Sequence, residues 1–179
     1  MAIEVIFFHD TGDTIGSPVR GRNRIVTGNN NWGSHAGATT IIRSPFSGIN
    51  SFSLPRYLFA RITTDQFPIA GVKWVIEADA DLGLDSTLFY DQRDTYAKPF
   101  QTDLTSGMTE FTTNPTEIIA NVGPSGPENP TTGTTIPADS TYFTNYLLTQ
   151  VRVTGGTATA GTTSRSRFGL EITEGYRLN

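Results

Sequence analysis

The sequence predicts an all-β domain: a β-sandwich of jelly-roll type with an extended, irregular N-terminal arm. Three observations carry this. The stretch Gly71–Leu82 alternates, with Trp74, Ile76, Ala78, Ala80 and Leu82 on one side and Lys73, Glu77, Asp79 and Asp81 on the other. That is a strand with one face on a core and one in water. The 179 residues are only 36% hydrophobic and 17% charged, and Thr, Gly, Asn and Ser fill the difference. This favours strands and turns over Ala-Leu-Glu-Lys helices. Turn signals also recur at short, fairly even intervals, as a sandwich or barrel requires.

Ile3–Phe8 reads as a first strand, apolar on both faces and so in need of cover on both. Residues 10–53 are broken repeatedly by Gly, Asn and Pro, with two short strand-like pieces at 24–27 and 39–43. So long an aperiodic segment is unusual in a compact domain, yet Trp32, Phe46 and Phe52 are too apolar for a disordered linker. An arm that orders on a neighbouring subunit reconciles the two. The expected division is therefore an N-terminal strand and arm over 1–53 and a β-sandwich over 54–179.

Within the second part, Leu58, Ala60 and Ile62 oppose Tyr57, Phe59, Arg61 and Thr63. Strands follow at 71–82 and 87–90, then at 100–105, 108–113 and 117–122. Residues 123–139 hold Pro124, Pro127, Pro130 and Pro137, which forbid helix and regular sheet, and are expected to project as a loop. Residues 141–154 place Leu147, Thr149, Val151 and Val153 inward. Residues 167–173 place Phe168, Leu170 and Ile172 inward, and the two strands are expected to form a closing hairpin.

The chain has no Cys, so disulfides, thiolate metal sites and Cys nucleophiles are excluded. The formal charge of -4 is too small to define a nucleic-acid binder. Lys occurs only at 73 and 98; the remaining positive charge is Arg, which suits planar pairing at protein interfaces. No basic-then-apolar leader and no apolar run of membrane-spanning length occur, so the expectation is synthesis in a cytoplasm without entry into a bilayer.

Candidate chemistry is sparse. Asp79, Asp81 and Asp85 have the alternate spacing of a calcium loop but lack its distal bidentate Glu and flanking helices, so a solvated strand edge paired with Arg61 or Arg93 competes. His9, Asp10 and Asp13 could ligate a metal or exchange protons, with His35 distant, but neighbours in an extended strand face opposite ways. A glycosidase pair could be drawn from Glu77, Asp79, Glu110 and Glu117, with nothing to separate them from surface acids. No nucleophile elbow, phosphate loop or dinucleotide fingerprint is present. Arg20, Arg22 and Arg24 could grip phosphates or an acidic protein surface; three residues are slight support for nucleic acid as the main partner. Tyr57 and Phe59, with Trp32, Phe46 and Phe52, and the group Tyr90, Tyr96 and Phe100, could stack on sugars, form interface hot spots, or lie buried in their own domain.

This combination of no Cys, no leader, no catalytic motif, little Lys, and Thr/Gly/Asn-rich strands and loops resembles the virion structural proteins of tailed phages, and among them capsid decoration or cement proteins. The resemblance implies a non-enzymatic homo-oligomer, such as a trimer, located in the virion. Its partner would be the major capsid protein or another virion subunit. Arg20, Arg22, Arg24, Trp32, Phe46 and Phe52 would supply contacts, with no cofactor and no membrane. A carbohydrate-binding β-sandwich module or a fibre tip that binds a glycan receptor is the alternative.

Overall fold

A computed structural model describes residues 3–12, 20–24, 49–78, 86–96, 105–131, 133–155 and 166–175. Among them there is no helix; every element is a strand and every named pairing is antiparallel. In chain order the strands are β1 (Glu4–Gly12), β2 (Arg20–Arg24), β3 (Ser51–Phe52), β4 (Arg56–Thr63), β5 (Ile69–Ala78), β6 (Ser86–Arg93), β7 (Thr109–Glu110), β8 (Thr116–Ile119), β9 (Val122–Gly123), β10 (Thr141–Thr144), β11 (Tyr146–Val153) and β12 (Ser166–Glu174). They form a nine-stranded sheet, with the path β2-β1-β4-β11-β6-β7, and a three-stranded sheet, β12-β5-β8.

The centre of the small sheet is β5. Val72, Trp74 and Ile76 are fully buried, while Lys73 and Val75 are half-buried and Glu77 is exposed, so the alternation holds through residue 77. The inward side chains join Leu58, Ala60 and Ile62 of β4, Leu88 of β6 and Leu147, Val151 and Val153 of β11 in one apolar cluster shared by both sheets. Phe7 of β1 meets Trp74 at 6.1 Å between ring centroids.

The large sheet has a second buried face. Tyr57, Phe59, Phe89, Tyr146 and Leu148 form an aromatic cluster with Met108, against which Phe8, Tyr96 and Phe143 pack. Hence β4 and β11 are covered on both sides, and Leu148 and Gln150, whose face would be wet in a one-sided sheet, are buried.

Two irregularities shape this sheet. β10 and β11 are one strand interrupted at Asn145. Phe143 faces Arg61 and Leu147 faces Leu58, so Thr144, Asn145 and Tyr146 stand opposite only Phe59 and Ala60. This is a β-bulge, which bends a strand and strengthens its twist. The backbone that it frees finds other acceptors: Ala60 N donates to the Thr144 side chain at Oγ1, 3.0 Å, and Asn145 N turns away to the backbone carbonyl of Asn121 at 2.8 Å. Beyond the bulge the partner changes from β9 to β6. β3 and β4 repeat the device: Ser53, Leu54 and Pro55 stand opposite Gln150 and Val151. Val151 N donates to Ser53 Oγ at 3.0 Å, and Gln150 Nε2 donates to Ser53 O at 2.8 Å. Pro55 has no N–H to offer a ladder, which favours the break there.

Several expectations change. The closing hairpin does not form: β11 lies in the large sheet, whereas β12 pairs with β5. Side-chain matching accounts for the choice. Phe168, Leu170 and Ile172 fall opposite Ile76, Trp74 and Val72, and on the outer face Arg167 falls opposite Glu77 and Glu171 opposite Lys73. Such cross-strand pairs are the unit of sheet stability. Of the expected arm, residues 10–12, 20–24 and 51–52 are strand residues of the large sheet, and 25–48 lie outside the described residues. The segment 123–139, expected to project, is tied to the body. Val122 bridges Thr131, Ile136 bridges Ile69, and Ile136 is fully buried. At its end Thr64 N donates to Ser140 O at 2.9 Å and Thr64 Oγ1 to Pro137 O at 2.8 Å. The candidate strand at 100–105 falls largely outside the described residues.

Candidate functional site

Among the described residues, the outer side of the small sheet gathers exposed charged side chains around one exposed apolar residue. Because β5 alternates, Gly71, Lys73, Val75 and Glu77 face outward. Neighbouring strands add Glu117 and Ile119 from β8 and Arg167, Gly169, Glu171 and Thr173 from β12. Lys73 Nζ lies 2.9 Å from Glu117 and 3.7 Å from Glu171. The hydrogen bond to Glu117, then the charges of Glu117 and Glu171, raise its pKa above the ordinary lysine value, so it stays cationic throughout the physiological range. Beside this ion pair Ile119 is 62% exposed. The face therefore carries charges of both signs, with no side chain at Gly71 and Gly169.

β12 forms one margin of this face. Among the described residues it is paired with β5, over nine residues. Its inward apolar residues Leu170 and Ile172 remain half-buried. The opposite margin, β8, has four residues.

A second polar group lies around β1. Asp10 is fully buried and accepts a 2.6 Å hydrogen bond from Tyr146 Oη. His9 is on the other side of the strand, opposite Leu58 in register, with Nδ1 buried and without a hydrogen-bond partner. Burial first, and then the Arg56 charge, push the His9 pKa below 6.5, with Asp10 pulling weakly the other way. Burial likewise lowers the Arg56 pKa. The two β1 side chains thus face opposite sides of the sheet and do not converge on one ligand. The Asp10–Tyr146 bond serves the aromatic cluster, where Tyr146 meets Tyr57 and Phe59 edge-on at 5.4 and 5.6 Å.

The remaining sequence candidates are dispersed. Asp79, Asp81 and Asp85 lie outside the described residues, as do Asp13, Trp32, His35, Phe46 and Phe100. Arg61 pairs with Glu4 at 3.4 Å and Arg93 with Asp91 at 2.8 Å. Arg20, Arg22 and Arg24 form β2, in register with Gly12, Asp10 and Phe8. Phe52 is half-buried in β3, opposite Arg152. Tyr57 and Phe59, considered for sugar stacking, are buried at 2% and 0% exposure, which removes them from any binding face. Glu77 and Glu110 are exposed on different sheets, and Glu117 is held by Lys73. Among the described residues no group of three His, Asp or Glu side chains is placed to hold a metal ion, and no helix is long and apolar enough to cross a membrane.

Sequence reasoning missed the β12 edge, because strand order is not written in local periodicity. It also passed over Asp10 as a buried acceptor, although the parity of Ile6, Phe8 and Asp10 puts a carboxylate on an otherwise apolar face. No protein-family model, no curated protein and no solved structure matches the chain.

Proposed function

We propose that this chain is a non-enzymatic structural protein of a virion, a decoration or cement protein that stabilises a capsid by binding neighbouring capsid subunits. One observation carries the reading. The polar groups near the core are engaged structurally (Asp10 by Tyr146, Ser53 by Gln150 and Val151), while the outer side of the small sheet carries Lys73 between Glu117 and Glu171 beside the exposed Ile119. A surface of mixed charge around an exposed apolar residue suits protein contact more than turnover of a small substrate. Two sheets sharing one core support a β-sandwich of jelly-roll type. In this reading the segment from Asp10 to Ser53 supplies the contact to the shell, with Trp32, Phe46 and Phe52 as apolar anchors and Arg20, Arg22 and Arg24 as polar ones. A ligand that binds the assembled lattice and not its free subunits stabilises the lattice by linkage.

The test is reconstitution. Shells of the phage that carries the chain are stripped of it and then incubated with the purified protein. Binding to shells but not to unassembled capsid subunits, with a higher temperature of shell disruption, is expected. Failure to bind shells, combined with selective binding on a glycan array, would replace this reading with the carbohydrate-binding alternative.

A further inference from the structure

We infer that Arg152, seated over the ring of Phe89 beside Phe52, is the binding site for a carboxylate side chain, Asp or Glu, of the protein on which this chain docks. The inference deepens the proposed function, since Phe52 belongs to both contacts, and it rests on that reading for the identity of the partner.

Strand register assembles the site. Residues directly opposite one another in an antiparallel pair present their side chains on one face. In β11, Arg152 stands opposite Phe52 of β3 on one side and Thr87 of β6 on the other. Gln150, two residues back, stands opposite Phe89. Phe52, Arg152, Thr87 and Phe89 therefore share a face, at the end of the aromatic cluster to which Phe89 belongs. The Arg152 Cζ lies 4.7 Å from the Phe89 ring centroid, within the range at which an aromatic face attracts a cation. Phe89 is buried, whereas Phe52, Thr87 and Arg152 are half-buried. The cation thus has a covered ring beneath it and is itself reachable from outside.

What this cation lacks is an acid. Arg61 is paired with Glu4 and Arg93 with Asp91. Among the described residues Arg152 has no such pair, and its Nε is buried without a hydrogen-bond acceptor. A guanidinium carries five donors, and holding one partly out of water with no counter-charge is costly. A carboxylate supplies that charge together with two acceptors in the plane of the fork, and such pairs are among the stronger hydrogen bonds. The ring positions the guanidinium before a partner arrives, which lowers the ordering cost of binding. The surroundings also select the class of anion. Glu110 of β7 falls opposite Phe89 and is exposed, so its charge opposes a phosphate dianion more strongly than a single carboxylate. One arginine is also too little to hold a nucleic-acid backbone. Arginine among aromatic side chains is instead the composition of protein–protein hot spots.

Two measurements on the full-length chain test this. In the first, the Nε–H resonance of Arg152, identified by its loss in Arg152→Gln, is followed while chloride is replaced by acetate at constant ionic strength. Inorganic phosphate at the same ionic strength is the second probe. The expected result is a shift with acetate that is larger at Arg152 than at the exposed Arg167, and a smaller shift with phosphate. In the second, variants with unchanged backbone amide spectra are bound to stripped shells. Arg152→Glu should weaken binding by about tenfold. Arg152→Lys, which keeps the charge but loses the planar fork, should weaken it less. No selective shift with acetate, a larger shift with phosphate, or shell binding indifferent to Arg152→Glu would each overturn the inference. A selective acetate shift in a protein that does not bind shells would retire the proposed function and leave the carboxylate site intact; shell binding that ignores Arg152 would do the reverse.

Discussion

His9 shows how one residue's surroundings become a property of the whole chain. Its imidazole is partly buried beside the Arg56 guanidinium, and both effects hold its pKa below 6.5. The folded state therefore binds this proton less readily than the unfolded state. Both states are neutral at His9 above the ordinary histidine value. As pH falls through that value the unfolded chain is protonated first, so stability present at neutral pH is lost towards the lowered native pKa. Urea unfolding at stepped pH is expected to show the midpoint falling below about pH 6.5, and His9→Gln should flatten that part of the curve. An unchanged slope in the variant would assign the acid sensitivity to other groups. Asp10 is a different case: it accepts a 2.6 Å hydrogen bond from Tyr146 Oη inside an aromatic cluster, which satisfies a buried polar group that would otherwise be costly.

At the scale of elements, the segment after β9 illustrates what close packing demands. A Cβ at Gly123 would stand 2.2 Å from Asn129 O and 2.9 Å from Pro130 Cα, and both are backbone atoms that a side-chain rotation cannot move. Gly123→Ala is expected to destabilise the fold by about 2 kcal/mol, within the usual range for overpacking. The check is a drop in the denaturation midpoint at unchanged slope; a neutral effect would mean that 123–139 is not fixed to the body.

These elements also show what a one-dimensional pattern can and cannot hold. The two faces of β4 and the inward residues of β5 and β12 were legible, because burial alternates with period two and a strand face is a local property. The partner of β12 was not, since sequence neighbours pair by default and only cross-strand matching with β5 decides otherwise. The bulges at Asn145 and Ser53 were equally hidden: each depends on a distant strand being one residue short. Pro and Gly in 123–139 correctly signalled irregular backbone, but not Ile136, one apolar residue among polar ones, reaching the core. Of the candidate site, the Arg, acidic and aromatic positions were nameable from residue type. The surface that the fold presents was not, since it arises where two non-consecutive strands meet the outside.

For the whole molecule, two sheets of antiparallel strands share one apolar core. Among the described residues, β4 and β11 of the large sheet are covered on both faces, and the small sheet packs one face on the shared core. The central claim is that the native protein exists as part of an assembly. Rate-zonal sedimentation of an unfractionated lysate from the source of the chain, followed with an antibody to it, tests this most directly. The expected result is co-sedimentation with virion-sized particles, with any free pool running as an oligomer. A chain found wholly as a slowly sedimenting monomer, at every concentration and stage of particle formation, would contradict the account.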